Sequence, residues 1–261
     1  MTDPIGFLGL THLGVVMSAC WASLGHRVIA VGDPVVVAEP GLDALDIGDR
    51  LTVTGDPSAL APCNLVFVTL DTSDVDAMGQ LLIQAMPWIA RSAPIVVMSQ
   101  VPPGTTRRFA TLLNTNWPKW PPNDFYYLAE TLITGKAVER CLNPDRFILG
   151  CPRPPWIDSR LSEALNRFRC PILRMRYESA EFAKLAVNLY LASSIQYANR
   201  MAKAGAAVGA EWREVVPALR LDPRIGPSAY LLPGEVGPNI GRDIRTLERL
   251  EAWHGFPDSV A

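Results

Sequence analysis

The sequence predicts an α/β protein with an N-terminal Rossmann-type parallel sheet over residues 1–178, followed by a smaller all-α domain built on one long helix over 179–261. Three observations predict it. Short apolar runs alternate with helical patterns through the first 150 residues. Those runs lack a polar residue at every second position, so they read as strands covered on both faces, as in a parallel sheet. From Ser179 to Gly209 the pattern changes to one uninterrupted helical stretch.

The elements follow in order. IGFLGL (5–10) is a buried strand, GVVMSACWASLG (14–25) a helix closed by Gly25, and RVIAVG (27–32) a second strand, which together make a βαβ start. Further strands are expected at LVFVTL (65–70), PIVVMS (94–99), FYYLAE (125–130) and RFILGC (146–151), separated by helical segments such as DVDAMGQLLIQAMPWIA (74–90). Proline concentrates in loops, at WPKWPP (117–122) and CPRPPW (151–156). The 179–209 helix is about 45 Å long at 1.5 Å per residue. It is apolar almost all round, so a second domain or a second subunit must bury it. Its small residues Ala198, Ala202, Ala206 and Ala207 suit close helix packing, and a homodimer through 179–209 is expected.

Composition narrows the function classes. The 261 residues are 49% hydrophobic, enough for real cores, and 24 Lys and Arg face 26 Asp and Glu. No broad basic surface advertises nucleic acid or an anionic membrane. The opening MTDPIGFLGL has no basic n-region, and no apolar run reaches the roughly 18 residues of a spanning helix. A cytoplasmic protein without a membrane partner is expected. Cys20, Cys63, Cys141, Cys151 and Cys170 form an odd set without C-x-x-C spacing, which predicts buried thiols rather than disulfides or a zinc cluster. His12, His26 and His254 stand at no metal-binding spacing and near no nucleophile motif, so neither a metal site nor histidine chemistry is expected.

GLTHLG (9–14) lies between the first strand and the first helix, where G-x-G-x-x-G would hold the diphosphate of a dinucleotide. Gly9 and Gly14 fill the first and third glycine places. Thr11 fills the second, and its Cβ occupies space the phosphates would use. His12 and Leu13 complete the loop. The carboxylate that would hold the adenosine ribose is displaced as well: Gly32 stands in its place and Asp33 follows one residue later. NAD is the expected cofactor of Gly9, Thr11, His12, Leu13, Gly14 and Asp33, through a loop with weakened phosphate contact. The bland alternative is a Rossmann-type turn without a ligand.

Five segments in order, EPGLDAL (39–45), VPPGTT (101–106), AETLITGKAVERCLNPDRFILG (129–150), EFAKLAVNLYLA (181–192) and LDPRIG (221–226), resemble the UDP-glucose/GDP-mannose dehydrogenase family over nearly the whole chain. The resemblance implies an N-terminal NAD domain, a long dimer-forming helix and a C-terminal nucleotide-sugar domain. Ala261 falls about where that last domain would begin, so a truncated, divergent member is expected. In the family a sugar alcohol is oxidised twice by NAD, through a cysteine thioester. The stretch EVGPNIGRD (235–243) matches the cysteine motif with Asn239 in the cysteine's place and Arg242 in the lysine's, and no cysteine occurs between 171 and 261. An amide is no nucleophile. Gln100 stands where the family has a threonine that helps place a water.

Other family positions match. The resemblance implies catalytic roles for Glu130, for Lys184 and Asn188 one turn apart on the long helix, and for Asp243, and a sugar-nucleotide contact for Arg224. A lysine beside a reacting alcohol stabilises a developing alkoxide, and an asparagine orients a water or hydroxyl. Each has a bland counterpart. Glu130 could be a strand-end surface carboxylate, Lys184 a solvated helix residue, Asp243 the N-cap of DIRTLERLEAW, and Arg224 a prop for the loop of Gly226, Pro227, Pro233, Gly234 and Gly237. Three functional readings follow. One is an NAD-linked oxidoreductase limited to a single two-electron step on an alcohol or sugar, with a nucleotide sugar or a hydroxyacid as substrate. Precedent lies in the β-hydroxyacid dehydrogenases, similar in size and in a Lys-x-x-x-Asn pair on a helical second domain. The second is a catalytically inactive relative acting as a binding or regulatory protein, and the third a non-redox enzyme reusing the pocket.

Overall fold

The structure is a computed structural model that describes residues 3–116, 125–130 and 132–254. The chain forms two compact units, residues 1–184 and 185–261. The first opens with β1 (Ile5–Leu8), α1 (His12–Ser23), β2 (Val28–Val31), β3 (Leu51–Thr54) and β4 (Leu65–Val68). It continues with α2 (Val75–Ala85), β5 (Ile95–Val97), α3 (Thr105–Asn116), β6 (Phe125–Leu128), α4 (Ala137–Leu142), β7 (Phe147–Cys151), α5 (Ser159–Asn166) and β8 (Ile172–Arg176). Helix α6 (Tyr177–Ala206) runs from the first unit into the second, which adds α7 (Trp212–Leu221) and α8 (Pro238–His254). The WPKWPP stretch lies outside the described residues.

The eight strands form one sheet in the order β3-β2-β1-β4-β5-β6-β7-β8. Alternation along each central strand sends side chains to two cores. Phe7 and Phe67 enter one with Trp21 of α1, their rings 5.1 Å apart, while Leu8, Val66 and Val68 enter the other with Met78, Leu82 and Phe109 of α2 and α3. Burial on both faces is why these strands read as unbroken apolar runs.

Two features depart from the sequence expectation. The sheet is not wholly parallel: β6 and β7 are antiparallel, with Tyr127 opposite Gly150 and Leu128 opposite Leu149. An apolar run reports burial and carries no direction. Here the connection returns at the same end of the sheet, with Val138 and Cys141 of α4 packed into the core that contains Met17 and Cys20 of α1. The two edge strands, β3 (LTVT) and β8 (ILRMR), leave no apolar run to find because each is largely open to solvent.

Candidate functional site

The loop after β1 keeps a glycine turn. Gly9 adopts φ +102°, and a Cβ there would stand 2.7 Å from the Leu70 nitrogen. A Cβ on Gly14 would meet the Gly9 carbonyl oxygen at 2.1 Å, so the first turn of α1 sits directly on the turn. Thr11, the N-cap residue, makes no side-chain cap bond. Its hydroxyl instead donates to the Thr69 carbonyl at 2.8 Å, and the Thr69 hydroxyl donates to the Gly9 carbonyl at 2.6 Å. The N–H groups of the first turn are therefore not capped by the helix's own N-cap residue, at the end of the sheet where open α/β folds take their ligands. Leu13 packs against the Phe7 core and offers only its backbone.

The ribose end of the site is different. Gly32 has φ +140°, donates its N–H to the Thr54 carbonyl at 2.9 Å, and would carry a Cβ 3.2 Å from the Leu10 nitrogen. A carboxylate-bearing residue would be strained there. Asp33 is exposed beside it, and the Val35 N–H donates to the Leu10 carbonyl at 3.1 Å, which holds the chain after β2 against the loop. The glycine turn and uncapped helix end thus fit the diphosphate of a dinucleotide. The expected ribose carboxylate has no equivalent at its usual place.

His12 reaches 2.8 Å from Nε2 to Oε1 of Glu39, whose side chain is wholly buried. Glu39 also accepts the N–H groups of Gly135 at 2.9 Å and Ala137 at 3.3 Å. Burial raises its pKa, but the bonds from Gly135, His12 and Ala137 outweigh burial and hold the carboxyl below the usual carboxylate value. The sequence reading missed this residue. Its one signal was the EPGLDAL segment, because 27 residues separate Glu39 from His12 and 96 separate it from Gly135.

Beyond β6, Glu130 accepts the Leu132 N–H, and its Oε2 lies 3.9 Å from Nζ of Lys184. Both side chains are mostly buried, so neither the surface-carboxylate nor the solvated-lysine alternative holds. One turn before Lys184, the buried Glu181 accepts the N–H groups of Gly104 at 2.6 Å and Thr106 at 2.7 Å, fixing the start of α3 on α6. Gln100 is half-buried in the same connection between β5 and α3. The start of α6 is held further by an Arg107–Glu178 ion pair and by the Tyr177 hydroxyl, which donates to the Phe125 carbonyl at 2.6 Å.

In the second unit, Nδ2 of Asn188 donates to Oδ2 of Asp243 at 2.6 Å, both residues being buried. Helix α8 begins at Pro238, so Asp243 lies in its second turn and is not an N-cap. The backbone of Asn239 is in the first turn of α8; its side chain lies outside the described residues. Arg224 is highly exposed and bonds through Nη2 to Oδ2 of Asp222 at 2.7 Å. The loop it was expected to prop is held by others: Asn199 exchanges two hydrogen bonds with the Gly234 backbone, and the Trp212 ring N–H donates to the Leu231 carbonyl at 2.9 Å. Four of the five cysteines are buried, and burial pushes the Cys63 thiol up to about 12 and Cys151 to about 11. None of these is a poised nucleophile.

A glycine turn under an open helix end, on a doubly wound sheet continued by a long helix with a buried lysine, defines a Rossmann-type protein of the oxidoreductase class. Residues 178–260 match the model of the UDP-glucose/GDP-mannose dehydrogenase family, central domain. The chain belongs to that family as a divergent member. It is 27% identical to a UDP-glucose 6-dehydrogenase of Pseudomonas aeruginosa, over 97% of this chain and 62% of that one. The solved UDP-glucose dehydrogenase of Pyrobaculum islandicum superposes with a TM-score of 0.78 at 26% identity, covering 98% of this chain and 65% of the other. The fold is also shared with a 3-hydroxyisobutyrate dehydrogenase of Mycobacterium tuberculosis, with a TM-score of 0.70 at 16% identity over 100% of this chain and 89% of that one. The chain spans about three fifths of the length of the curated relatives it matches. Among the described residues no helix is long and apolar enough to cross a membrane.

Proposed function

We propose that the chain is an NAD-linked oxidoreductase that carries out a single two-electron step on an alcohol or sugar carbon, with no covalent intermediate. One observation carries this reading. Lys184 is buried within 3.9 Å of the Glu130 carboxylate, on a chain without any cysteine from 171 to 261 that could form a thioester. The loop from Gly9 to Gly14 would hold the cofactor by its diphosphate, and the chemistry a bound NAD supplies is a hydride acceptor.

The chain's own residues then act on the alcohol oxygen. The Lys184 ammonium stabilises negative charge as that oxygen loses its proton, and Glu130 is the carboxylate placed to accept a proton through Lys184. Asn188, fixed by Asp243, presents an amide to orient a hydroxyl or water. A nucleotide sugar, as in the names of the relatives, or a hydroxyacid is the proposed substrate class, with Arg224 and Gln100 as substrate contacts. A homodimer through α6 is proposed with it, supported by the exposure of Tyr190, Tyr197 and Met201. A monomeric mass by light scattering at micromolar concentration removes the dimer.

The test is absorbance at 340 nm with NAD and a panel of sugar nucleotides and hydroxyacids. Reduction of NAD with one of them, lost in Lys184→Ala, supports the oxidoreductase; flat absorbance across the panel removes it. A second reading, a non-catalytic relative, is favoured by Gly32, whose backbone cannot present the ribose carboxylate without strain. Calorimetry with NAD and NADH separates the two, since a retired site binds neither.

A further inference from the structure

The His12–Glu39 pair is built into the phosphate loop, and neither residue is absorbed by the hydride chemistry. His12 is the first residue of α1, directly after Thr11, and its side chain is 42% exposed. Glu39 is held as the anion, so Nε2 of His12 must carry a hydrogen and donate it across the 2.8 Å contact. Protonation of the ring can then change only at Nδ1. No described residue bonds to that atom.

The surroundings set a balance of charge. The segment after β2 brings Glu39 to the ring, and the 135–137 segment brings the N–H groups of Gly135 and Ala137 to Glu39, with the exposed Lys136 between them. The neighbouring β4 end contributes the uncharged Thr69. Glu39 favours an imidazolium, whereas the positive end of the α1 dipole opposes one. An anion arriving at the same helix end shifts the balance towards the charged ring. Its charge offsets the dipole, and Nδ1–H becomes a charge-assisted donor.

We propose that His12 is a diphosphate-binding residue, that a dinucleotide binds the 9–14 loop with uptake of a proton at Nδ1, and that Glu39 holds the ring in the tautomer this requires. The proposal rests on the reading of that loop as a dinucleotide site. It gives the loop a side-chain cation at the place where the middle glycine is missing. Binding then weakens as pH rises, because the unliganded ring must first be protonated.

The experiment is calorimetric titration of the whole chain with ADP-ribose and NAD⁺ near neutral pH, in phosphate and in Tris, whose different ionisation heats report the protons exchanged. The titration is repeated across the histidine range for the natural protein and for His12→Gln, whose amide can still donate to Glu39. Thermal melting checks that the variant is folded. The expected result is net proton uptake and a Kd that weakens by up to about tenfold per pH unit on the alkaline side, with both effects lost in His12→Gln. Binding without proton uptake, or the same pH slope in His12→Gln, overturns the proposal and leaves the dinucleotide reading standing. Proton uptake with UDP-glucose and none with ADP-ribose also overturns it, by assigning the diphosphate to another site. Absence of binding by ADP-ribose, NAD⁺ and NADH at every pH overturns both.

Discussion

Thr106 donates its backbone N–H to Oε1 of Glu181 at 2.7 Å, and through that bond the start of α3 is carried on the same helix as Lys184. Gly104 donates to the other oxygen at 2.6 Å. Both donors belong to the VPPGTT connection, and Glu181 is buried, so water cannot replace it. Glu181→Ala should therefore lower stability by about 3 kcal/mol, the cost of two buried N–H groups left without an acceptor. Glu181→Gln, which retains one acceptor oxygen, should cost less. Urea unfolding monitored by circular dichroism checks this; a midpoint for the alanine variant equal to that of the natural protein removes the clamp.

Glu181 and Glu39 should contribute to pH dependence with opposite signs. Burial raises the Glu181 pKa against the bonds from Thr106 and Gly104, so its contribution is fully present below the unfolded carboxylate value and is lost as pH rises through the folded one. Glu39 is also desolvated, but Gly135, His12 and Ala137 hold its pKa below the unfolded value. Its contribution is present above the unfolded value and is lost as pH falls through the folded one. Urea midpoints measured from acid to neutral pH should fall less steeply towards neutral pH in Glu181→Gln, and less steeply towards acid in Glu39→Gln. Parallel curves for the natural protein and either variant contradict that assignment.

The pairing of Lys184 with Glu130 predicts a difference in kind between two variants. Lys184→Ala removes the group set against the developing alkoxide and should lower kcat by about 100-fold or more, with little change in stability. Glu130→Gln keeps the shape but cannot accept a proton, so the acid limb of the pH profile should shift while KM changes less than kcat. Loss of KM alone in both variants would assign the pair to substrate binding. The readout is initial rate at 340 nm with whichever substrate of the panel turns over.

Where a signal was local, the sequence carried it. The apolar runs located β1, β2, β4, β5, β6 and β7 because each is buried on both faces, and Lys184 and Asn188 could be placed one turn apart because helical spacing is fixed. The antiparallel β6–β7 pair and the half-exposed β3 and β8 were not legible, since direction and edge position leave no hydrophobic signature. Asp243 looked like an N-cap because a break seemed to fall just before it, yet α8 starts at Pro238, a residue suited to a first helical turn. Partners distant in sequence were the least legible. Glu39 meets His12, Gly135 and Ala137, and Glu181 meets Gly104 and Thr106, only after the sheet has brought their loops to one end.

The turn under α1 predicts which loop substitutions the fold accepts. Gly14→Ala would place a methyl 2.1 Å from the Gly9 carbonyl, where only backbone movement can relieve it, so this variant should unfold at markedly lower urea concentration. Thr11→Gly removes only the hydroxyl bond to the Thr69 carbonyl and should cost about 1 kcal/mol. If the Cβ of Thr11 also obstructs the phosphates, the same variant should bind ADP-ribose more tightly than the natural protein does. Equal affinity would mean that Thr11, turned towards Thr69, leaves the phosphate place open.

Asn188 and Asp243 give the last test, within the second unit. The amide donates to Oδ2 at 2.6 Å and both residues are buried, so the bond joins α6 to the second turn of α8. Asp243→Ala should destabilise the protein by about 2 kcal/mol, because the Asn188 amide then loses its acceptor inside the protein. Asn188→Asp sets two carboxyl groups against each other. It should be near neutral in acid, where one is protonated and can donate, and progressively destabilising as pH rises and both must ionise. If Asn188→Asp loses activity at acid pH while its urea midpoint there matches the natural protein, the amide acts on substrate or water as well as on Asp243. If activity follows the urea midpoint at every pH, its role is confined to joining α6 and α8.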